Sequence, residues 1–299
     1  MTQTRTAFIA IVGCPNVGKS SILNRLLGQK IAVVSPKPQT TRTKIMGVLT
    51  ENDVQLVFTD TPGFHRPRTK LGEKMVKAVS DSISGVDACL FVVEPSGELR
   101  DAEKDLLGKL KKEKMPVILA INKIDSVKQK ELLIERMAQF SALYDFEAIV
   151  PCSALKGDGF GELKDELFKQ SQPSPHFFPD DTLTDQPERV IAAEIIREKL
   201  LNLLDDEVPH GVAVCIERMH EREDSDITDI DATVYCERES HKGIIIGKKG
   251  EMLKKVSTRA REDMERFFMC KINLHCWVKV KEGWRNREGL IRNFGLDNE

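Results

Sequence analysis

The first half of the chain alternates short, continuous apolar runs with longer segments in which apolar residues recur at helical spacing. Short apolar runs of this kind are typical of strands that are buried on both faces of a parallel sheet. The pattern predicts strands at 7–12, 44–50, 54–59, 88–93, 117–121 and 148–152. It predicts helices at 21–27, 72–84, 100–114 and 128–143. This alternation predicts an α/β domain with a mixed, mostly parallel sheet.

The second half shows a different order of predicted elements. The predicted helices and strands are a helix at 186–204, strands at 211–221 and 227–237, a short helical turn before residue 247, a helix at 251–268 and a strand at 271–280. The segment 170–181 is rich in proline and polar residues and is interpreted as part of an interdomain linker. We therefore expect a domain at 1–172, a linker at 173–185 and a smaller α+β domain with a C-terminal tail at 186–299.

Composition indicates a folded protein with reduced thiols. Hydrophobic residues make up 40% and charged residues 31% of the 299 positions, which is ordinary for a globular protein. The seven cysteines form no C-x-x-C pair, which argues against a disulfide framework or a zinc ribbon and favours a cytosolic protein. Residues 1–6 do not fit a signal peptide. No apolar run approaches the roughly 18–20 residues of a membrane span.

The net charge of −2 conceals an asymmetry within the second half. Residues 181–241 hold 6 Lys/Arg against 17 Asp/Glu, whereas residues 242–292 hold 14 Lys/Arg against 6 Asp/Glu. Phosphate contacts from basic residues supply most of the non-specific affinity for nucleic acids. Segment 242–292 is therefore a candidate nucleic-acid-binding face, although part of its charge is expected to be ordinary solvated helix surface.

A phosphate-binding motif lies between the first predicted strand and the first predicted helix. The pattern G-x-x-x-x-G-K-[ST] is matched by Gly13, Gly18, Lys19 and Ser20. Its glycines allow backbone N–H groups and the positive end of the helix to face an anion. Lys19 then reaches the β- and γ-phosphates of a nucleotide, and Ser20 offers its hydroxyl to Mg²⁺. A glycine-rich turn is the alternative, but the strand–loop–helix context favours phosphate binding.

Three further loops at predicted strand ends suit a guanine nucleotide. In the first, Asp60 suits a second Mg²⁺ contact and Gly63 allows the backbone to approach the γ-phosphate. In the second, Asn122-Lys123-Ile124-Asp125, the carboxylate can accept from both N1–H and the amino group of guanine, and adenine offers neither arrangement. The third, Ser153-Ala154-Leu155-Lys156, fits a backbone contact to guanine O6.

With the polar, proline-containing segment 36–43, these loops resemble those of the GTPase superfamily over residues 1 to about 170. The resemblance implies a P-loop GTPase domain. It implies nucleotide contacts from Gly13, Cys14, Pro15, Asn16, Val17, Gly18, Lys19, Ser20, Asp60, Thr61, Pro62, Gly63, Phe64, Asn122, Lys123, Asp125, Ser153 and Ala154. The implied catalytic residues are Lys19, Thr41, Asp60 and Gly63, and the implied Mg²⁺ ligands are Ser20, Thr41 and Asp60. Thr40 is the alternative to Thr41.

Phe64 departs from the pattern of the best-known small GTPases, which carry a water-orienting glutamine at this place. A phenyl ring cannot hydrogen-bond the attacking water, so a slow intrinsic rate or another activating group is expected. In GTPases with this hydrophobic replacement, an asparagine at the position of Asn16 can help to bind K⁺ beside the phosphates. The sequence therefore supports K⁺ dependence as a hypothesis.

The order α-β-β-α-GxxG-α-β in the second half is that of a type II KH RNA-binding domain. In such domains the glycines allow the loop to pack against the sugar-phosphates of a single strand, beside a groove for about four bases. The expected RNA contacts are Ile244, Ile245, Ile246, Gly247, Lys248, Lys249, Gly250 and Arg285. A helix-turn-helix in which the glycines only relieve a tight turn is the alternative. Trp284 either stacks on nucleotides or packs on the last strand.

The motifs P-N-V-G-K-S, Q-T-T-R, D-T-P-G-F-H and N-K-x-D, followed by one C-terminal G-K-K-G loop, are similar to the Era family of ribosome-assembly GTPases over the whole chain. The resemblance implies GTP and GDP binding, binding to the 3′ end of 16S ribosomal RNA, and a role in assembly of the 30S ribosomal subunit. It also implies peripheral association of a cytoplasmic protein with the inner membrane. We expect a monomer that does not bind DNA.

Two other classes of protein share some of these features. A tRNA-modifying GTPase has similar switch loops, but it needs a separate module for base chemistry, for which the chain has neither room nor a cysteine motif. A non-catalytic RNA-binding adaptor would use nucleotide only for stability. The presence of Lys19, Ser20 and Asp60 argues against the adaptor.

Overall fold

The computed structural model describes residues 3–35, 37, 40–64, 67, 69–205 and 208–296. Gln39 and His65, which belong to two of the motifs above, lie outside the described residues. The chain divides into two compact units. The first comprises Met1–Val34, Thr41–Pro67 and Gly72–Asp185, and the second comprises Ser35–Thr40, Arg68–Leu71 and Gln186–Glu299.

The first unit is built on a mixed sheet whose strands alternate with helices. In chain order the elements are β1 (Arg5–Gly13), α1 (Lys19–Leu27), β2 (Ile45–Glu51), β3 (Val54–Asp60), α2 (Lys70–Ile83), β4 (Ala88–Val93), α3 (Asp101–Lys112), β5 (Val117–Ile121), α4 (Lys130–Ser141), β6 (Ala148–Pro151), α5 (Phe160–Lys169) and β7 (Gln172–Pro173). The strand order is β2-β3-β1-β4-β5-β6, with β7 paired to β1. Only β2 and β7 run antiparallel to their neighbours among the described pairs.

The central strands of this sheet are covered on both faces. Every residue of β4 and β5 is buried, as their continuous apolar sequences predict. Helix α5 was not among the predicted helices, although Leu163 and Leu167 are spaced for one helix face and are fully buried. Because β1, β3, β4, β5 and β6 are parallel, their following loops lie at one edge of the sheet.

The segment predicted as a linker, 173–185, packs along the first unit. Gln55, fully buried on β3, accepts hydrogen bonds from the backbone N–H groups of Phe177 and Phe178 at 2.8 and 3.0 Å. The amide of Val48 on β2 donates to Leu183 O at 2.9 Å. These bonds order the segment instead of leaving it a solvated tether. The expected domain limits remain a proposal.

The second unit combines a three-stranded sheet with helices. Its elements are α6 (Glu188–Leu203), β8 (Ala213–Glu221), β9 (Ile227–Cys236), α7 (Glu239–Ile246), α8 (Glu251–Phe268), β10 (Lys271–Val280) and α9 (Glu288–Asn293). Strand β9 is central, parallel to β10 and antiparallel to β8. Side chains from α6, α7, α8 and the sheet share one apolar core.

The C-terminal segment closes part of this unit. Trp284 is fully buried, donates from Nε1 to Gly211 O at 2.8 Å and packs edge-on against Phe294. The indole of Trp284 is enclosed, so the alternative in which Trp284 stacks on nucleotides is wrong. Among the described residues, no helix combines the length and the apolar content needed to cross a bilayer.

Candidate functional sites

The phosphate-binding loop connects β1 to α1 and depends on two glycines. Gly13 has φ 152°, and a Cβ atom there would lie 2.4 Å from Val92 O. Gly18 has φ 98°, and a Cβ atom would lie 2.2 Å from Asn122 Nδ2. Contacts this short exclude side chains, so the loop lies directly against the ends of β4 and β5.

Lys19 is the first residue of α1, and its side chain extends back over the phosphate-binding loop. Its Nζ atom donates to Gly13 O at 3.2 Å and to Cys14 O at 3.1 Å. The side chain is buried, and burial lowers the pKa of Lys19 even though Asp60 favours the charged form. A buried cation at the N-terminus of a helix suits an anion such as a phosphate.

Ser20, Thr41 and Asp60 form a cluster of oxygen atoms beside Lys19. The Ser20 hydroxyl lies 2.6 Å from Asp60 Oδ2 and 2.8 Å from Thr41 Oγ1, and Thr41 Oγ1 lies 3.4 Å from the same carboxylate oxygen. Thr40 is placed differently, because its hydroxyl donates to Lys37 O at 2.6 Å. The structure therefore brings together the three predicted metal ligands and leaves Thr40 outside the cluster.

Asp60 provides a test of whether this cluster fits Mg²⁺. Its side chain is fully buried, and Oδ1 has no hydrogen-bond partner among the described residues. Burial raises the pKa of Asp60 to about 6, although Lys19 and the hydroxyls of Ser20 and Thr41 favour the carboxylate. A buried carboxylate with a free oxygen and two adjacent hydroxyls fits Mg²⁺, which takes oxygen ligands and keeps positions for phosphate and water.

The loop after Asp60 lies against the phosphate-binding loop. Thr61 Oγ1 donates to Ile11 O at 2.8 Å, and the Phe64 amide donates to Gly13 O at 3.1 Å. A Cβ atom on Gly63 would lie 2.6 Å from the Cα atom of Pro15. Gly63 does not have a positive φ, so its backbone conformation does not require glycine. Glycine is needed because Pro15 lies too close to leave room for a side chain.

The Phe64 ring is buried. It is 8% exposed and belongs to the apolar core that includes Val79 and Ile83, with Lys109 Nζ 4.7 Å from the ring centre. Its backbone amide donates to Gly13 O, so the Phe64 backbone contacts the phosphate-binding loop. An aromatic ring buried in this way cannot orient an attacking water.

The Asn122–Asp125 loop is held to the other loops by its own side chains. Asn122 donates from Nδ2 to Val17 O at 2.9 Å and accepts at Oδ1 from the Ala154 amide at 3.0 Å. The exposed Asp125 carboxylate accepts from Ser153 Oγ at 2.5 Å. Asn122 thus joins three of the predicted nucleotide loops, and Ser153 orients the carboxylate expected to read guanine.

Sequence reasoning missed Glu94, which directly follows β4. Its carboxylate pairs with Lys123 at 2.8 Å and with Arg100 at 2.5 Å. The available signal was its position at the carboxyl end of a buried strand, the same signal that identified Asp60 and Asn122.

The Gly247–Gly250 loop in the second unit has the backbone that its sequence predicts. Gly247 and Gly250 have φ values of 73° and 83°, and a Cβ atom on Gly247 would lie 2.7 Å from Met252 Cβ. Lys249 also has a positive φ of 51°, and Lys248 and Lys249 are exposed. The loop therefore presents two exposed lysines between two partly buried glycines.

Two predicted RNA contacts need correction or restriction. Ile245 is fully buried in the core, whereas Ile244 is 49% exposed and Ile246 is partly buried. Consecutive helical residues point in different directions, so Ile244, Ile245 and Ile246 cannot form one groove floor. The prediction that Ile245 contacts RNA was wrong, because its side chain is enclosed in the core. Arg285 is 28% exposed and ion-paired with Glu237 at 2.5 Å.

Comparison with known proteins covers both units. A family model described as 50S ribosome-binding GTPase matches residues 8–123, and a KH domain model matches residues 207–285. GTPase Era from Clostridioides difficile is 48% identical over 295 residues, which are 99% of each chain. The chain belongs to the Era family of GTPases. Era from Ruminiclostridium cellulolyticum is 50% identical over 291 residues, 97% of each chain.

Solved Era structures match the fold over nearly the whole chain. A variant of Aquifex aeolicus Era bound to GDP·AlF4⁻ is 37% identical, with a TM-score of 0.94 over 98% of this chain and 99% of that one. An Era structure with MgGDPNP and nucleotides 1506–1542 of 16S ribosomal RNA is 38% identical, with a TM-score of 0.93 over the same shares. The predicted P-loop GTPase fold followed by a KH domain is confirmed, and the chain is a GTPase.

Proposed function

We propose that this Era-family GTPase is a nucleotide-controlled RNA-binding protein that binds the 3′ end of 16S ribosomal RNA during assembly of the 30S subunit. The observation that carries the proposal is the presence in one chain of the Ser20–Thr41–Asp60 cluster and the Gly247–Gly250 loop. The Era structure that holds both MgGDPNP and a 16S ribosomal RNA segment supports it.

In the nucleotide site, backbone N–H groups of the phosphate-binding loop, in which Pro15 has none, and the Lys19 ammonium face the phosphates, where the ammonium offsets charge that develops during hydrolysis. Ser20, Thr41 and Asp60 hold Mg²⁺, which when bound supplies further charge neutralisation at the phosphates. The closeness of Gly63 to Pro15 places its backbone beside the phosphate-binding loop, where it approaches the γ-phosphate.

The base is read at the other end of the site. Asp125 accepts the two donors of guanine, a backbone N–H of the loop Ser153-Ala154-Leu155-Lys156 faces O6, and the Lys123 stem covers the ring plane. Ser153 and Asn122 hold these groups through the bonds described above. Inosine diphosphate lacks the exocyclic amino group, so it is expected to bind more weakly than GDP because one Asp125 contact is lost.

Slow intrinsic hydrolysis and K⁺ activation follow from the same loops. The Phe64 ring is buried, so no side chain at that position orients water. Asn16 follows Pro15 in the phosphate-binding loop with φ 65°, where it can contribute to a monovalent cation site beside the phosphates. GTP turnover in KCl is expected to exceed turnover in NaCl at equal ionic strength. Equal rates would reject the K⁺ role.

The RNA site is centred on the Gly247–Gly250 loop. Lys248 and Lys249 contact phosphates, and Arg285 is a peripheral contact. The exposed Ile244 and the partly buried Ile246 lie on different sides of α7, so each offers a separate apolar contact to RNA. Hydrolysis is proposed to change the exposure of this site, because GTP orders the loops around Thr41 and Gly63 and GDP releases them.

The experiment is binding of a labelled oligonucleotide from the 3′ end of 16S ribosomal RNA at fixed salt, with non-hydrolysable GTP and with GDP. Tight binding that weakens with GDP is expected. Equal affinity in both states would reject nucleotide control, and no binding in either state would reject this RNA as the partner. A double-stranded DNA of equal length is the control, and it should bind only at low salt.

The remaining features come from the family resemblance. We propose a monomeric, cytoplasmic protein with peripheral association with the inner membrane. Sedimentation equilibrium tests whether the protein is a monomer, and flotation with vesicles of inner-membrane lipids tests whether it associates with the membrane. Recovery of the protein only in the lipid-free fraction would reject membrane association.

A further inference from the structure

Glu94 links two of the nucleotide loops through Lys123. Its Oε1 atom accepts from Lys123 Nζ at 2.8 Å, and the same ammonium donates to Asn16 O at 2.5 Å. Lys123 therefore spans the distance from the loop after β5 to the phosphate-binding loop. The lysine stem is flexible, so Glu94 and the Asn16 carbonyl together define where it lies.

Glu94 is itself fixed by a buried framework. Arg136 donates from Nε to Glu94 O at 3.2 Å and from Nη1 to Gly97 O at 3.2 Å. The Arg136 guanidinium also pairs with Glu103, and these two side chains are only 3% and 1% exposed. The segment that carries Glu94 is therefore anchored by a paired, buried arginine.

The second oxygen of Glu94 is bound by Arg100, whose Nη2 lies 2.5 Å away. Arg100 is held in turn, because its amide donates to Glu103 Oε2 at 2.9 Å. Burial works to raise the pKa of Glu94, but the hydrogen bonds and charges of Lys123 and Arg100 outweigh it, and the pKa lies below its ordinary value. Glu94 is thus an anion at neutral pH.

We propose that Glu94 is a positioning residue for guanine-nucleotide binding, which holds the Lys123 ammonium against the phosphate-binding loop so that the lysine stem covers the base. The inference rests on the proposed role of the Asn122–Asp125 loop in guanine binding. Without Glu94, Lys123 keeps only the Asn16 carbonyl, and its stem samples other rotamers. The base then loses a preorganised contact, and nucleotide dissociates faster.

The test uses the full chain and measures the dissociation rate of a fluorescent GDP analogue by chase with unlabelled GDP. Glu94→Gln removes the charge but keeps the size of the side chain, and dissociation is expected to become about 3- to 10-fold faster. Glu98→Gln is the matched control, because Glu98 is exposed on the same segment. The melting temperature of the nucleotide-free protein should stay near that of wild type, since Arg136 and Glu103 are untouched.

A double-mutant cycle separates positioning from a general structural effect. In a Lys123→Met background, Glu94→Gln should cause no further acceleration, because the group that Glu94 holds is absent. Equal acceleration in both backgrounds would overturn the proposal, as would a Glu94→Gln rate equal to that of Glu98→Gln.

Asp125→Asn distinguishes failure of the inference from failure of the guanine site. If Asp125→Asn binds GDP as tightly as wild type, the guanine assignment is wrong and the role of Glu94 falls with it. If Asp125→Asn loses GDP affinity while Glu94→Gln does not change the dissociation rate, only the positioning role is wrong.

Discussion

The Ser20 hydroxyl donates a hydrogen bond of 2.6 Å to Asp60 Oδ2, across 40 positions of sequence. Ser20 lies in the first turn of α1 and Asp60 ends β3, and β1 and β3 are parallel neighbours. The two residues meet because the segments that follow parallel strands lie at the same edge of a sheet. The Thr41 hydroxyl completes the cluster at 2.8 Å from Ser20 Oγ, so the proposed metal site includes a residue from the segment that precedes β2.

The two adjacent threonines provide a matched pair for testing this cluster. Thr41→Val removes a hydroxyl that lies 2.8 Å from Ser20 Oγ, and we expect kcat for GTP hydrolysis to fall about 10- to 100-fold with a rise in the Mg²⁺ concentration needed. Thr40→Val removes a hydroxyl bonded to Lys37 O and should leave the Mg²⁺ requirement unchanged. Turnover measured over a Mg²⁺ titration checks both variants, and the reverse result would assign the metal to Thr40.

Ser153→Ala tests how the guanine-reading carboxylate is oriented. The change removes a hydrogen bond of 2.5 Å to Asp125 and is expected to weaken GDP affinity about tenfold. Calorimetric titration with GDP and with inosine diphosphate measures the effect. The loss should be larger for GDP, because only guanine offers the second donor. An equal loss for both nucleotides would indicate general loosening of the loop.

Lys248 and Lys249 should contribute to RNA binding through charge. Replacing both with alanine is expected to weaken binding to single-stranded RNA and to reduce the slope of log K against log salt by about 1.4. The double variant Lys111→Ala and Lys112→Ala removes two exposed lysines from α3 and is the control. An unchanged slope in the first variant would place the RNA elsewhere. GTP turnover without RNA should be the same in both variants.

The elements that the sequence predicted best are those whose pattern is locally sufficient. The limits of β4, β5, α8 and β10 agree with prediction at both ends. The two buried strands are uninterrupted apolar runs, and α8 begins after Gly250, whose positive φ ends the preceding loop. Helix α9 escaped prediction because it is short, and its place depends on contacts that Trp284 makes with Gly211 and Phe294.

The candidate site also contains some residues that the sequence predicted and others that it did not. Gly13, Gly18 and Asp60 were found because phosphate and metal binding impose residue types at fixed spacing. Arg136 and Glu103 were missed because a charged helical residue looks like solvated surface in sequence, and only the fold shows that the pair is buried. The error at Ile245 has a similar origin, since the direction of each side chain follows from packing of α7 on the core.

His176 joins two parts of the first unit, and we expect this attachment of the segment 173–185 to depend on pH. Its Nδ1 atom lies 2.7 Å from Asp180 Oδ1, and its Nε2 atom lies 3.2 Å from Asp53 O. Both partners are acceptors, so the imidazolium, which donates from both nitrogens, fits best. The hydrogen bond to Asp180 is the main reason that the pKa of His176 is raised above its ordinary value.

The sign of the effect follows from this raised pKa. The stabilisation is fully present below the unfolded-state pKa of about 6.5 and is lost as pH rises through the higher folded-state pKa. His176→Asn should therefore reduce protection from hydrogen exchange at the Phe177 and Phe178 amides by about two- to fivefold at pH 5.5, and by less at pH 8.5. Protection factors, which correct for the intrinsic pH dependence of exchange, are the measurement.

Asp180→Asn and His220→Asn are the controls for this assignment. Asp180→Asn keeps the imidazole but removes the carboxylate that raises the pKa of His176. This variant should therefore lose most of the pH dependence of the protection factors at the Phe177 and Phe178 amides. His220 is exposed on β8, and its replacement should leave exchange at these amides unchanged. If His176→Asn reduced protection equally at both pH values, the imidazole would act by packing and not by charge, and the segment would have no pH-sensitive attachment at this residue.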